Sequence, residues 1–360
     1  VYCAVNEMRT PDTSRRQTAT GVSASARELK EGRRKMRVVT FGETMLRLSP
    51  PGYQRIAQAE RFEIAIAGTE SNTAAVLAQL GVQTVWLSRL PDNPLGHLVA
   101  QRLRALGVDV QHVSWDSDSR LGLYFVEPGV TPRPTRVYYD RKGSAMSRWR
   151  PGEWDWYDLL RGASLLHATG ITPALSEGCR EATREALQVA REMNISVSFD
   201  LNYRSLLWSP DEARRVIESL LPLVDLLIVT PADARTILAI EGEDTDIAVH
   251  IQQRYRVPVV ATPLRDQQSA TVGRRYSVVA TAEHVWRSEG CPFEVIDPIG
   301  SGDAYDAGLL YGYLQGDIEL AMRCADTLSA LKHTVPGDVL FTSPEDLQQL
   351  LQGIPRGIVR

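Results

Sequence analysis

The sequence predicts a doubly wound α/β protein, with a mainly parallel sheet flanked by helices and a small β-sheet lid. Two observations carry that prediction. From Val38 onward, short β-branched runs alternate with helical stretches, and a parallel strand pair needs a crossover of a dozen or more residues, which a helix supplies. Twice the alternation breaks into strand-like segments with no helical period, at about 45–65 and about 109–141. Two β-rich excursions from an α/β core suit a small sheet folded over the ends of the core strands, where such folds hold ligands.

The elements follow in order. Val38-Val39-Thr40-Phe41 reads as the first buried strand, and Met45–Ala65 as the first lid excursion. Ser71–Leu80 is helical, Thr84-Val85-Trp86-Leu87 a strand and Leu95–Leu106 a helix. The second excursion holds strand-like Gly122–Val126 and Arg136–Tyr139, joined by the proline-rich Pro128–Pro134. Core alternation then resumes with helix Glu177–Met193, strand Ser196–Phe199, helix Pro210–Leu220, strand Leu226–Val229, strand Val257–Ala261 and helix Gly302–Leu314.

Residues 1–36 are a different kind of sequence, rich in Thr, Ser, Ala and Arg, and they close on the charged run Arg27–Lys35. Without hydrophobic periodicity they are expected to form a disordered extension, leaving 37–360 as one domain with the lid inserted. They lack the apolar centre of a secretory signal, and Glu7, Asp12, Glu28 and Glu31 argue against an organellar transit peptide. Met36, just before the first strand, is the expected natural start.

The 360 residues are 43% hydrophobic and 23% charged, so a large core is affordable. A net charge of −4 excludes a general electrostatic affinity for nucleic acid or anionic membranes, so any bound anion must meet a local site. No apolar run approaches the roughly 18 residues that span a bilayer. The four cysteines, Cys3, Cys179, Cys291 and Cys324, are far apart, with no metal or redox spacing. A cytoplasmic protein is the expectation.

The stretch richest in chemistry is Asp297-Pro298-Ile299-Gly300-Ser301-Gly302-Asp303, leading into a helix. Small residues at 300–302 let the backbone aim several N–H groups at one point, where a helix N-terminus adds positive potential. A carboxylate there, Asp303, is poorly placed to bind phosphate but well placed to take a proton from a hydroxyl attacking that phosphate. Alone, the same stretch equally describes a glycine-rich turn with a capping aspartate. Two further segments keep it company. Ala67-Gly68-Thr69-Glu70-Ser71-Asn72 opens an early helix, and Asp200-Leu201-Asn202-Tyr203-Arg204 follows a core strand, where doubly wound sheets bind ligands.

With the glycine turn, its aspartate and the early Gly-Thr-Glu-Ser-Asn segment, the chain resembles PfkB-type, ribokinase-like carbohydrate kinases from about Val38 to near its C-terminus. Within that family it looks most like 2-keto-3-deoxygluconate kinases, through Phe41-Gly42-Glu43, Tyr138–Ala145, Asn202-Tyr203-Arg204-Ser205 and Ala330–Asp338. The resemblance implies transfer of the ATP γ-phosphoryl group to a sugar 6-hydroxyl, with Mg²⁺ as cofactor. Asp303 would be the base, and the Gly300, Ser301 and Gly302 backbone would stabilise the transferring charge. Gly68, Asn72, Tyr124, Tyr138, Arg141, Asn202, Arg204 and Asp338 are the expected sugar residues, since an acidic sugar needs a bidentate cation and hydroxyl donors that a neutral one does not. Leu264 and Arg265, with Gly300 and Gly302, are the expected nucleotide contacts.

The chain departs from the family pattern at three places. Pro298 replaces a usual Thr, and Ala67 a usual Gly, which crowds the sugar by a methyl group. Thr230-Pro231-Ala232-Asp233 stands where many members read Asn-x-x-Glu, leaving Asp233 as the expected metal carboxylate. Fructose or 2-keto-3-deoxygalactonate remains open as substrate, as does a non-catalytic sugar-binding regulator. His333 reads as structural, and an exposed lid edge favours a homo-oligomer.

Overall fold

A computed structural model describes residues 36–269 and 271–353. The expected disordered extension, apart from Met36, lies outside the described residues. The strands are β1 (Arg37–Phe41), β2 (Met45–Ser49), β3 (Glu63–Ala67), β4 (Gln83–Leu87), β5 (Arg89–Pro91), β6 (Ser114–Asp116), β7 (Leu123–Glu127) and β8 (Arg136–Asp140). They continue as β9 (Leu165–Thr169), β10 (Ser196–Asp200), β11 (Leu226–Ile228), β12 (Val259–Gln267), β13 (Val272–Ala280), β14 (Val285–Arg287) and β15 (Cys291–Glu294). The α-helices are α1 (Thr69–Gln79), α2 (Pro94–Ala105), α3 (Trp156–Leu159), α4 (Thr172–Leu175), α5 (Glu177–Glu192) and α6 (Pro210–Leu220). Then come α7 (Pro231–Leu238), α8 (Ile247–Tyr255), α9 (Ser301–Tyr313), α10 (Ile318–Lys332) and α11 (Pro344–Gln352).

The central sheet runs β14-β13-β12-β11-β10-β9-β1-β4, with β15 on β13, and it is parallel from β12 to β4. Its middle strands carry almost no exposed residue on either face, because helices cover both. The sheet therefore sits between two apolar layers. One gathers Phe41, Leu166, Phe199 and Leu227 with α5 and α6, and the other Val38, Leu165 and Ile228 with α9 and α10. From β1 the chain passes to β4 on one side and later returns to β9 on the other, so the strand order reverses between β1 and β9. Their carboxyl ends open a crevice at that switch point.

The lid is a separate four-stranded sheet in the order β3-β2-β7-β8, built from both excursions expected from the sequence. One boundary differs. Residues 109–121 stay with the core: β6 pairs with β5, Asp109 bridges Val85, and Val110, Val113 and Leu121 are buried with α2. Their apolar side chains have a better burial site against that helix than on a lid with a solvent face.

Candidate active site

The crevice holds a cavity of about 340 Å³ lined from both layers. The lid contributes Met45, Ala67, Tyr124, Val137, Tyr139 and Arg141; the core contributes Gly68, Glu70, Asn72, Asn202, Arg204, Gly300, Gly302, Asp303 and Asp338. Most of the residues picked from the sequence thus meet at one place, although they come from positions 68 to 338.

At its floor α9 begins. Gly300 caps it at φ +87°, in the left-handed region that glycine enters without strain, and a Cβ there would lie 1.9 Å from the Asp338 carbonyl oxygen. The first N–H groups of a helix have no intrahelical partner, and the backbone of Gly300, Gly302 and Asp303 lies on the cavity wall. Pro298 closes the turn, its carbonyl accepting from the Ser301 N–H at 3.3 Å, which leaves the later N–H groups to meet a ligand. The Ser301 hydroxyl faces inward and accepts from the Arg275 guanidinium at 3.3 Å. Ser301 therefore serves the turn through its backbone.

Asp303 stands on the first turn of α9. Asn72 donates from Nδ2 to its Oδ2 at 2.6 Å, and the Thr73 hydroxyl donates to its carbonyl at 3.2 Å. Both donors ride on α1, whose first turn is buried although polar, because Gly68 lets it abut Glu43 and Thr44: a Cβ on Gly68 would lie 2.3 Å from the Glu43 carbonyl. Burial pushes the Asp303 carboxyl up to about 7, with Asp338 and Glu70 acting in the same direction against the Asn72 hydrogen bond and Arg204.

Beneath it lie further buried acids. Glu70 accepts from Thr169 at 2.8 Å and Thr172 at 3.0 Å, tying α1 to the end of β9. Burial and the neighbouring Asp200 hold Asp306, one turn after Asp303, well above its ordinary value. Asn202, at φ +44°, donates to Asp200 at 2.6 Å, which sets its amide on the cavity wall.

Two arginines line the cavity. Arg141 is ion-paired with Glu43 and lies over the Tyr139 ring, whereas Arg204 makes no ion pair among the described residues. Tyr124 donates its hydroxyl to Asp338, whose carboxylate also pairs with Arg47 at 2.8 Å. Asp338 therefore serves as a junction between core and lid.

Three expectations are corrected. Tyr138 does not line the cavity: strand side chains alternate, so on β8 Tyr139 faces it, stacked on Tyr124, while Tyr138 points away, 47% exposed. Leu264 is buried in the core, and only its neighbour Arg265 reaches a cavity, a second one of about 740 Å³ that shares Pro298 with the first. Asp233 also lies off the wall, in the first turn of α7, where its N–H takes the Thr230 cap; burial raises its carboxyl against nearby Arg204. Ala67, by contrast, does reach the wall.

Sequence reasoning missed Arg47 and Arg275 as members of this neighbourhood and gave Glu43 and Glu70, both inside its motifs, no role of their own. Arg47 had a signal: a guanidinium flanked by Leu46 and Leu48 in a strand is a charge that needs buried partners.

Residues 35–345 match the pfkB family of carbohydrate kinases. A 2-dehydro-3-deoxygalactonokinase of Haloferax volcanii is 40% identical over 90% of this chain and 99% of its own length. A 2-dehydro-3-deoxygluconokinase of Thermoproteus tenax is 31% identical over 88% and 94%. The crystal structure of a 2-dehydro-3-deoxygluconokinase of Thermotoga maritima superposes with a TM-score of 0.85 at 38% identity, covering 88% of this chain and 98% of that one. The chain belongs to the pfkB family of carbohydrate kinases, and its fold is ribokinase-like.

Proposed function

We propose that this carbohydrate kinase transfers the γ-phosphoryl group of ATP to the 6-hydroxyl of a 2-keto-3-deoxy sugar acid, 2-keto-3-deoxygluconate or its C4 epimer 2-keto-3-deoxygalactonate. The observation that carries the acidic sugar is Arg204: a guanidinium with no ion pair among the described residues, on the wall of the cavity that also holds Asp303. Such a group has little use for a neutral sugar and a direct one for a carboxylate, which it can grip bidentately. The activities for which these relatives are named support the same class.

In this reading Asn202, Asn72 and Gly68 bind the hydroxyls, Tyr139 replaces Tyr138 on the lid side, and Arg204 fixes the carboxylate end. Asp303 takes the proton of the 6-hydroxyl as its oxygen attacks the γ-phosphorus. The N–H groups of the Gly300–Asp303 turn meet the charge on the phosphoryl oxygens. Among the described residues no group of three or more His, Cys, Asp or Glu could hold a metal ion. Mg²⁺, when bound, would be held mainly by the phosphates and water and would neutralise their charge there, since Asp233 stands off the cavity wall.

A coupled kinase assay over both keto-deoxy acids and fructose, run on the wild type and Arg204→Ala, tests this. The acids should be the good substrates. Arg204→Ala should raise their KM by roughly 10- to 100-fold, the scale of a lost hydrogen bond to a charged group, and barely change the weak turnover of fructose. Preference for fructose, or an unchanged KM for the acids, refutes the reading.

The pH profile adds a second check. A base must be deprotonated to act, and the Asp303 carboxyl is pushed up to about 7. The value of kcat/KM should therefore rise with pH and level off above about 7. An acid limb near 4 would mean that the base titrates as an ordinary aspartate and that burial does not raise it.

A further inference from the structure

The glycine turn is held from behind by a charge that the proposed chemistry leaves unused. Lys332 ends α10 and is completely buried. Its ammonium donates to the Val335 carbonyl at 2.8 Å and to the Asp297 carbonyl at 3.2 Å. These two carbonyls belong to different loops. Asp297 opens the segment that ends in Gly300 and Asp303, and Val335 lies in the loop that runs to Asp338.

The two loops are laced together along their length. The Ile296 and Asp297 N–H groups donate to the His333 carbonyl at 2.8 and 3.0 Å. The Asp297 carboxylate accepts from the Gly337 N–H at 3.0 Å and the Ile299 N–H at 3.1 Å. Gly300 sits directly against the Asp338 carbonyl, with no space for even a methyl group. Where the second loop goes, the turn must follow. His333 itself is pinned, its Nδ1 on the Ser329 carbonyl at 2.7 Å and its ring stacked on Phe293.

A buried ammonium is costly, and an apolar side chain of similar length would fill the same space more cheaply. The charge therefore needs a reason beyond packing. Among the described residues only Arg47 is ion-paired with both Asp297 and Asp338, at 2.8 Å from each. One cation against two carboxylates leaves a net negative charge beside the place where an anionic phosphoryl donor would sit, and Lys332 makes the count even. Burial depresses its pKa, and Asp297 and Asp338 oppose that fall.

We propose that Lys332 is a positioning residue for phosphoryl transfer: its ammonium clamps the Asp297 and Val335 carbonyls, fixes the Gly300–Asp303 turn and cancels the excess negative charge behind it. The proposal rests on the reading of that turn as the transfer site.

Lys332→Met keeps the length of the stem and removes the charge, whereas Lys332→Ala opens room for a small cation. In Lys332→Met, kcat should fall by roughly 10- to 100-fold, the scale of a misplaced catalytic turn, while the KM of the sugar acid stays near wild type. In Lys332→Ala, methylammonium should restore kcat severalfold at constant ionic strength, and tetramethylammonium, too large for the space, should not. Hydrogen exchange followed by mass spectrometry should show faster exchange over residues 296–303 in either variant, with β9 and β10 unchanged. Wild-type kcat together with wild-type exchange in Lys332→Met overturns the proposal; so does a loss in Lys332→Ala that both amines, or neither, repair. If the wild type phosphorylates no sugar acid, the function reading fails, and the exchange measurement alone decides whether Lys332 holds the turn.

Discussion

Asp303→Asn should lower kcat by roughly 10²–10⁴, the usual scale for general-base catalysis, while leaving the fold and the affinity for the sugar acid nearly unchanged. The substitution suits the local bonding. Asn72 donates to Asp303 Oδ2 at 2.6 Å, and an asparagine at 303 can offer its own Oδ1 to that amide, so no buried donor is orphaned. Burial works against the carboxylate here and pushes it up to about 7, so a neutral amide should not weaken the folded state. What disappears is the only chemical property that matters in this role, the ability to accept a proton. Steady-state kinetics paired with calorimetric titration of the sugar acid separates the two effects. Turnover within a fewfold of wild type would overturn the assignment, and loss of sugar binding together with turnover would make Asp303 a binding residue instead. Asp303→Ala is the poorer experiment, because it leaves the Asn72 amide facing a void.

Much of this site was legible in the sequence because its parts are local. The glycine turn, the buried polar start of α1 and the residues after β10 each announce themselves within half a dozen positions. Each also lies at the end of a core strand or the start of a helix, where backbone geometry fixes direction. The alternation of strand and helix likewise placed the crevice before any coordinate did.

The errors came where one residue of register decides a side chain's destination. Tyr138 and Tyr139 are equally plausible in composition, and only the pairing of β8 with β7, Tyr139 opposite Tyr124, selects the second. Leu264 and Arg265 divide in the same way, one into the core and the other out of it. Residues 109–121 lack a helical period and so read with the lid, but burial against α2 decides otherwise. What no local pattern could reveal is a partnership across 250 to 291 positions, the spacing that separates Arg47 from its two aspartates.

That partnership sets the second large effect. Arg47→Met should cost about 3–5 kcal/mol of folding stability, the scale for removing one partner from a buried ion pair. The guanidinium lies on the lid strand β2, and its side chain is only 7% exposed. It reaches Asp297 and Asp338 on the core at 2.8 Å each and Ser49 from Nε at 2.8 Å. Methionine fills its volume but leaves two carboxylates without their ion-pair partner, with only the more distant Lys332 ammonium to oppose their charge. Tyr124 on β7 still reaches Asp338, so the lid keeps that latch. The variant should therefore lower the denaturant midpoint and also expose the lid to proteolysis at residues 45–65 before the core is cut. The sign of its pH dependence follows from Asp338, whose carboxyl burial raises while Arg47 opposes the rise. Without Arg47 it rises further above its unfolded value, so its protonated form is the better tolerated one. The stability lost by the variant should shrink as pH falls through that raised value and grow as pH increases. Asp297→Asn with Asp338→Asn in the Arg47→Met background, which removes the orphaned charges, should recover most of the loss. A cost below about 1 kcal/mol, the size of a surface pair, would mean that the lid is held by its apolar contacts and that the arginine is only a passenger.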